Sequence, residues 1–165
     1  IAKDLYSCAS EQGLGDASNE LALGLLFHKK YSEALVALHR GTKNGHDSSA
    51  RRLSKAFGGK YKNDDMYFLN IPEDKERSRR YEIIAKYLSR YDYLHPKVPD
   101  LDEIVPLPPA KLPEWDGKIA FQRWYEGEAP PKPSEALMQK LANQAGLRVD
   151  NGLDLETNLP KSVKK

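Results

Sequence analysis

The sequence has a single cysteine, Cys8, so no disulfide can form within the chain. It also lacks a long apolar run, because the longest one, Leu21–Phe27, is far shorter than the ~20 residues that a membrane-spanning helix needs. An excess of charge of one sign is missing too: 26 basic residues face 24 acidic ones, and the net charge is +2. This balance gives no electrostatic sign of nucleic-acid binding. We therefore expect no transmembrane segment and no nucleic-acid partner.

Motifs for catalysis are scarce. His95, Lys97 and Asp102 match the spacing H-x-K-x-x-x-x-D of phospholipase D, but that chemistry needs two such motifs and the chain has one, in a proline-broken segment. The four histidines show no zinc-site spacing, and no serine lies in a G-x-S-x-G motif. We predict that the protein is not an enzyme and holds no metal or cofactor. An enzyme that uses His95, Lys97 and Asp102 is the least favoured alternative.

The first third of the chain contains an internal repeat. Shifting the sequence so that Ala2 meets Ala34 aligns small residues with small ones and large apolar residues with large ones. Gly13 meets Gly45, at positions where a helix ends in a left-handed residue. Asp16, and either Asp47 or Ser48, are predicted to cap the helices that follow. The pattern predicts helices at about 1–12, 16–28, 31–43 and 48–57.

This pattern resembles the Sel-like repeat, a relative of the tetratricopeptide repeat. The residues that we assign to the repeat are Gly13, Ala17, Leu21, Gly24, Tyr31, Ala34, Leu38, Gly45 and Leu53. The match departs from the family in the short loop after Phe27 and in the loss of the pattern after Phe57. The resemblance implies an α-solenoid, in which antiparallel helix hairpins bury their apolar faces by stacking, and it places residues 1–58 at the end of an array.

A linking segment and a long helix are predicted next, over residues 59–94. Pro72, Glu73 and Asp74 favour a helix start, because proline suits the first turn and acids suit the positive end of the helix dipole. Apolar residues at helical spacing from Tyr81 to Tyr91 predict one buried face. The basic run "ERSRR" is interpreted as a solvated face.

Nine of the eleven prolines lie between Pro96 and Pro133. This segment could be a flexible linker or a motif displayed for another protein. A flexible linker would lack large apolar residues, but apolar anchors recur in this segment. They are Leu101, Ile104, Leu107, Leu112 and Trp115. We therefore predict an ordered, extended strap that covers the open end of the array. A short helix at 118–126 and a helix from the cap Ser134 to Ala145, ended by Gly146, are expected to follow, completing a third segment, 95–165.

The sequence "PDLDEIVPLPPAKLPEWDGK", with the later "PPKPSEALMQKLA", resembles a domain of unknown function that follows Sel-like repeats in bacterial proteins. Two-part proteins of this kind include immunity proteins of type VI secretion systems. The resemblance implies that the chain binds and neutralises a secreted lipase or phospholipase toxin, and it implies a periplasmic location, with a signal or anchor upstream of Ile1. The alternative is a general repeat adaptor in signalling or envelope assembly, with a cytoplasmic location.

A protein-binding role requires exposed anchor residues. Aromatic side chains are enriched at the centres of protein interfaces. The candidates are Tyr61, Tyr67, Trp124 and Tyr125. Together, these features predict an all-α protein with an α-solenoid of hairpins, a proline-rich strap and a small C-terminal helical segment.

Overall fold

The computed structural model describes residues 2–62 and 65–160. Its helices are α1 (Ala2–Glu11), α2 (Gly15–Phe27), α3 (Tyr31–Lys43), α4 (Asp47–Phe57), α5 (Lys75–Arg90), α6 (Leu101–Ile104), α7 (Ala120–Glu126) and α8 (Glu135–Ala145). A 3-10 turn spans Asp92–Leu94. The described residues form no β-strand, and their only β-type pairing is an isolated bridge between Leu147 and Asp154. The predicted all-α class is confirmed.

Helices α1 to α5 pack in sequence, each against the next. Their facing sides form one core, with α2 to α5 contributing most of its buried residues. The largest fully buried side chains are Tyr81, Phe57, Leu38, Leu53 and Ile84. An α-solenoid of helix hairpins was predicted, and the packing agrees with it.

Glycines lie in the turns that follow α1 and α3, as predicted. Gly13 and Gly45 have φ values of +94° and +93°, a region that L-residues with a side chain rarely adopt. A Cβ atom on Gly45 would also collide with the carbonyl oxygen of Pro96. Gly45 therefore serves two purposes, since it ends α3 and lets the later chain lie directly against the turn.

The predicted caps of α2 and α4 are wrong. The N-cap residues of α2 and α4 are Leu14 and His46, and the backbone N–H of Ser49 donates to Nδ1 of His46 at 3.2 Å. Asp16 and Asp47 lie inside the first turn instead. A carboxylate there still interacts favourably with the positive end of the helix dipole, which explains why acids occur at these positions.

The repeat residues differ in how closely they pack. Ala17, Ala34, Leu38 and Leu53 are buried, whereas Leu21 and Tyr31 are half-buried. Gly24 is exposed and a Cβ atom there would meet nothing within 4 Å, so its small size is not needed for helix contact. The close approach occurs at Gly41, where a Cβ atom would lie 3.2 Å from Cβ of Ser18.

By contacts the chain divides into two compact units, Ile1–Gly127 and Glu128–Lys165. The second unit contains α8, whose cap Ser134 accepts a bond from the N–H of Leu137 at 3.3 Å and which ends at Gly146 with φ +65°. The division into segments 1–58, 59–94 and 95–165 follows sequence motifs and stays a prediction. None of the helices in the described ranges is long and apolar enough to cross a membrane.

Replacing Gly45 with alanine should destabilise the fold strongly, by about 3 kcal/mol or more, because the new Cβ combines a disfavoured φ with a backbone collision. The matched control is Gly117→Ala, which has φ +88° but open space around the new Cβ. The control should lose only about 1 to 2 kcal/mol. Urea denaturation measures both, and equal losses would contradict a close contact between the turn and Pro96.

Candidate protein-binding surface and the strap that positions it

The strap, residues 95–119, is ordered and packs against the helical core. Its most deeply buried side chains are Val98, Leu101 and Val105, each 0% exposed. Ile104 is also buried, while Leu107, Leu112 and Trp115 are half-buried. The strap is not extended throughout, because Leu101–Ile104 forms the single helical turn α6. Apolar anchoring accounts for its position, and four of its backbone carbonyls accept bonds from side chains of α5.

Two buried arginines of α5 bind those carbonyls. Arg80 donates from Nη1 to the oxygen of Ile104 and from Nη2 to that of Pro113, both at 2.6 Å. Arg77 donates from Nε to the oxygen of Pro106 at 3.0 Å and from Nη2 to that of Ala110. Because proline has no N–H, the strap cannot pair its carbonyls in a regular ladder. The guanidinium groups of this arginine pair, Arg77 and Arg80, supply the missing donors.

The arginine pair corrects the prediction that "ERSRR" is a solvated face. Arg77 and Arg80 are only 7% and 5% exposed, whereas Arg79 is exposed. The signal was present in the sequence, since Arg77 and Arg80 precede the buried Tyr81 and Ile84 by four residues each. They therefore lie on the buried side of α5.

Carboxylates balance these buried charges. Glu76 accepts from Arg79 at 2.7 Å and from Nε of Arg80 at 2.8 Å. Hydrogen bonds from Arg79 and Arg80 lower the pKa of Glu76 to about 2. Asp74, the N-cap of α5, pairs with Arg77. Each buried guanidinium thus has an ionised partner, which a buried charge requires.

A buried histidine joins α3, α5 and the strap. Nδ1 of His39 lies 2.7 Å from the hydroxyl of Tyr81, and Nε2 lies 2.8 Å from Oδ1 of Asp102. An ionised carboxylate only accepts, so Nε2 carries the proton and Nδ1 accepts from Tyr81. Burial lowers the pKa of His39, although the bond with Asp102 opposes this shift. His39 is only 6% exposed and so belongs to the core.

Asp102, the aspartate of the phospholipase-like spacing, is bound by two side chains of α3. Its Oδ2 accepts from Lys43, and its Oδ1 accepts from His39, so both oxygens are bound within the fold. The bond from Lys43 lowers the pKa of Asp102. His95 and Lys97 are exposed at the start of the strap and line a cavity that does not include Asp102. In the described part of the chain, no group of three or more His, Cys, Asp or Glu could hold a metal ion.

The strap also sets the position of α7. Oδ2 of Asp100 accepts from the N–H of Ala120 at 2.9 Å, and Ile119, which precedes α7, is 2% exposed. Trp115 donates from Nε1 to the oxygen of Lys118 at 2.7 Å, and its ring lies beside the guanidinium of Arg80, at 5.6 Å. Helix α7 is therefore fixed to the core through the strap.

Helix α7 and the end of α5 together form an aromatic surface. Its members are Tyr87, Tyr91, Tyr93, Phe121, Trp124 and Tyr125. Tyr91 links the two helices, with its ring centroid 6.1 Å from that of Tyr125. Tyr93 and Trp124 are each 69% exposed and Tyr125 is 47% exposed. Large exposed rings that pack on half-buried ones are typical of an interaction site.

The four predicted anchor residues lie in two places. Trp124 and Tyr125 belong to the aromatic surface. The sequence analysis did not identify Tyr93 and Phe121, which belong to the same surface. Tyr61 and Tyr67 form a separate pair, with ring centroids 5.0 Å apart and Nζ of Lys55 4.0 Å from the centre of the Tyr67 ring. Both tyrosines of this pair are half-buried. The structure therefore separates these residues, and their role as contacts stays a prediction.

The fold and this surface define an all-α protein of stacked hairpins, with a strap that positions an exposed aromatic surface. The chain belongs to the family described as a domain of unknown function (DUF6396), whose model matches residues 49–159, more than half of the chain. The match starts within α4 and includes α5, the strap and α7. No curated protein and no solved structure matches the chain. The resemblance of residues 1–58 to Sel-like repeats stays a prediction.

Replacing Arg80 with methionine should lower the free energy of unfolding by about 3 kcal/mol, because two strap carbonyls lose their donors in a buried site. The control is Arg79→Met, which removes the same group from an exposed position in the same turn. Its urea midpoint should stay close to that of the wild type. If the two variants unfold at the same urea concentration, the strap does not depend on Arg80.

The folded state should lose stability as pH falls below about 6.5, the ordinary pKa of histidine. Since the folded pKa of His39 is lower, the unfolded chain binds a proton that the folded chain excludes. The slope should reach at most about 1.4 kcal/mol per pH unit. His39→Gln keeps a donor for Asp102 and an acceptor for Tyr81, so it should flatten the slope. Thermal melts at several pH values measure this dependence. If the stability of the wild type and that of the His39→Gln variant change equally with pH, His39 is not responsible.

Proposed function

We propose that this chain is a protein-binding inhibitor, an immunity protein that neutralises a secreted bacterial lipase or phospholipase toxin by direct contact. The observation that carries the binding role is the aromatic surface. Its exposed rings, Tyr93, Trp124 and Tyr125, are held by contacts with half-buried neighbours. Tyrosine and tryptophan dominate the binding energy of protein interfaces when they enter pockets of a partner.

The packing behind this surface favours tight binding. Tyr91 and Phe121 lie between the exposed rings and the core, and α7 is fixed by the bond from Ala120 to Asp100. A surface that is already ordered loses little conformational entropy when a partner binds. We therefore infer that the protein acts by binding and not by catalysis.

The resemblance of the strap region to proteins that accompany type VI toxins supports the choice of partner and a periplasmic location. Such a partner would present an apolar, membrane-facing surface, since lipases act at lipid interfaces. Exposed aromatic rings are chemically suited to cover a surface of that kind.

A general adaptor is the second candidate, and a groove beside α2 favours it. Two adjoining cavities share Leu21 and Leu25 as lining residues, and the larger, of about 490 Å³, also contacts α1 and α3. Helical repeat proteins bind peptides in grooves of this sort. In this case the partner would be an extended or helical peptide, and the protein would function in signalling or envelope assembly, with a cytoplasmic location as one possibility.

The test is co-purification of the chain with the lipase-type toxin encoded beside it, followed by affinity measurement. Trp124→Ala should weaken binding by about 30-fold or more, equivalent to about 2 kcal/mol. It should also restore toxicity in cells that produce the toxin. The matched control is Phe27→Ala, another exposed aromatic residue, which lies on α2 and should leave the affinity unchanged.

Two results would contradict the proposal. If no neighbouring toxin binds the wild-type chain, the immunity role is wrong. Suppose instead that the chain captures a peptide. If substitution of Leu21 abolishes this binding and substitution of Trp124 does not, the adaptor role is favoured.

A further inference from the structure

A separate cavity of about 420 Å³ lies between α4, α5 and the segment that follows α4. Its charged lining consists of four cationic side chains and one carboxylate. They are Arg51, Lys55, Lys60, Lys86 and Glu82. None of them belongs to the aromatic surface, so the proposed toxin contact does not explain the cavity.

Two of the four cations are already neutralised. Nη2 of Arg51 lies 2.9 Å from Oδ2 of Asp47, and Nζ of Lys86 lies 2.8 Å from Oε1 of Glu82. Each of these pairs is one turn apart on its own helix, a spacing that favours ion pairing. The remaining positive charge in the cavity belongs to the two other lysines.

Lys55 and Lys60 form no ion pair with any carboxylate of residues 2–62 and 65–160. Lys55 is half-buried and its ammonium group faces the ring of Tyr67 instead. The ring of Tyr61, another lining residue, packs against that of Tyr67. A cation held by an aromatic ring keeps its full charge. Within the described ranges, therefore, neither lysine of the cavity is neutralised by a carboxylate, and the phenol of Tyr61 lies beside them.

We propose that this cavity binds a phosphate monoester, with Lys55 and Lys60 as its cationic contacts and Tyr61 as a flanking hydroxyl donor. A phosphate monoester carries about −1.5 to −2 charges at neutral pH, which matches two lysines. Lysine is a common phosphate ligand, and the volume suits a small molecule. A carboxylate, with its single charge, would neutralise only one of the two lysines.

The cavity is formed by the packing of α4 on α5. Ser78 donates from Oγ to the carbonyl oxygen of Ser54 at 2.7 Å, which fixes the floor between the two helices. A Cβ on Gly58 would lie 3.5 Å from Oγ of Ser78, so the end of α4 is in close contact with this floor. The charged side chains thus extend from a rigid base.

The experiment measures binding of two probes to the full chain. Glycerol 3-phosphate, titrated by calorimetry, tests a free phosphate ester, and phosphatidylcholine vesicles with and without phosphatidic acid test a lipid headgroup. Binding of either phosphate source, and not of glycerol or of vesicles without phosphatidic acid, is the expected result. Which probe binds identifies the source of the phosphate.

The double variant Lys55→Gln/Lys60→Gln should weaken that binding by roughly 10-fold to 100-fold, since two charge-assisted contacts are lost. Lys132→Gln/Lys140→Gln changes the net charge equally at exposed positions of the second unit and should bind like the wild type. If the double variant fails to fold, Lys60→Gln alone, at an exposed position, should still weaken binding several-fold. The proposal is overturned if neither probe binds the wild type, or if the control pair weakens binding as much.

Discussion

The bonds from Arg77 and Arg80 to the strap carbonyls are the interaction on which the rest of the first unit depends. A segment with so many prolines lacks the N–H groups that would hold it in a sheet or a helix. Its carbonyls become partly buried when it packs on α5, and buried carbonyls without donors are unfavourable. Two guanidinium groups, each able to donate in several directions, solve this problem where single-donor side chains would not.

Burying two arginines has a large desolvation penalty, so their place in the core needs a further reason. Burial of hydrophobic residues of similar size would have a more favourable free energy. Such residues, however, would leave the carbonyls of Ile104 and Pro113 unpaired. The bonds also fix the strap in one register, because each guanidinium contacts two carbonyls at defined positions. His39 and Asp102 add a second fixed point, so that the strap reaches Ala120 and sets where α7 begins. The exposed rings of the aromatic surface therefore depend on polar contacts far inside the core.

Most of the helical framework could be predicted from the sequence, because its signals are local. Gly13, Gly45 and Gly146 end helices by their own conformational freedom, and Ser134 caps α8 through a bond three residues away. The caps of α2 and α4 were missed, because His46 accepts through a ring nitrogen and Leu14 offers no side-chain acceptor. The strap carbonyls that Arg77 and Arg80 bind, and the two donors that bind Asp102, are between 24 and 63 residues distant along the chain. No periodicity reveals such pairs, although the spacing of Arg77 and Arg80 to Tyr81 and Ile84 does place them on the buried side.

Helix α5 explains how one short element serves two surfaces. Its face with Arg77, Arg80 and Ile84 points to the strap and the core, and through the strap it determines where the aromatic surface lies. Other residues of α5, including Ser78 and Glu82, line the cavity with Lys55 and Lys60. Both faces are set by the same contact of α4 on α5, in which Phe57 stacks on Tyr81 with ring centroids 5.7 Å apart. The two faces share this contact but no charged residue. A substitution that removes a surface lysine of the cavity therefore leaves the strap bonds intact. The two proposed binding activities can thus be separated by mutation.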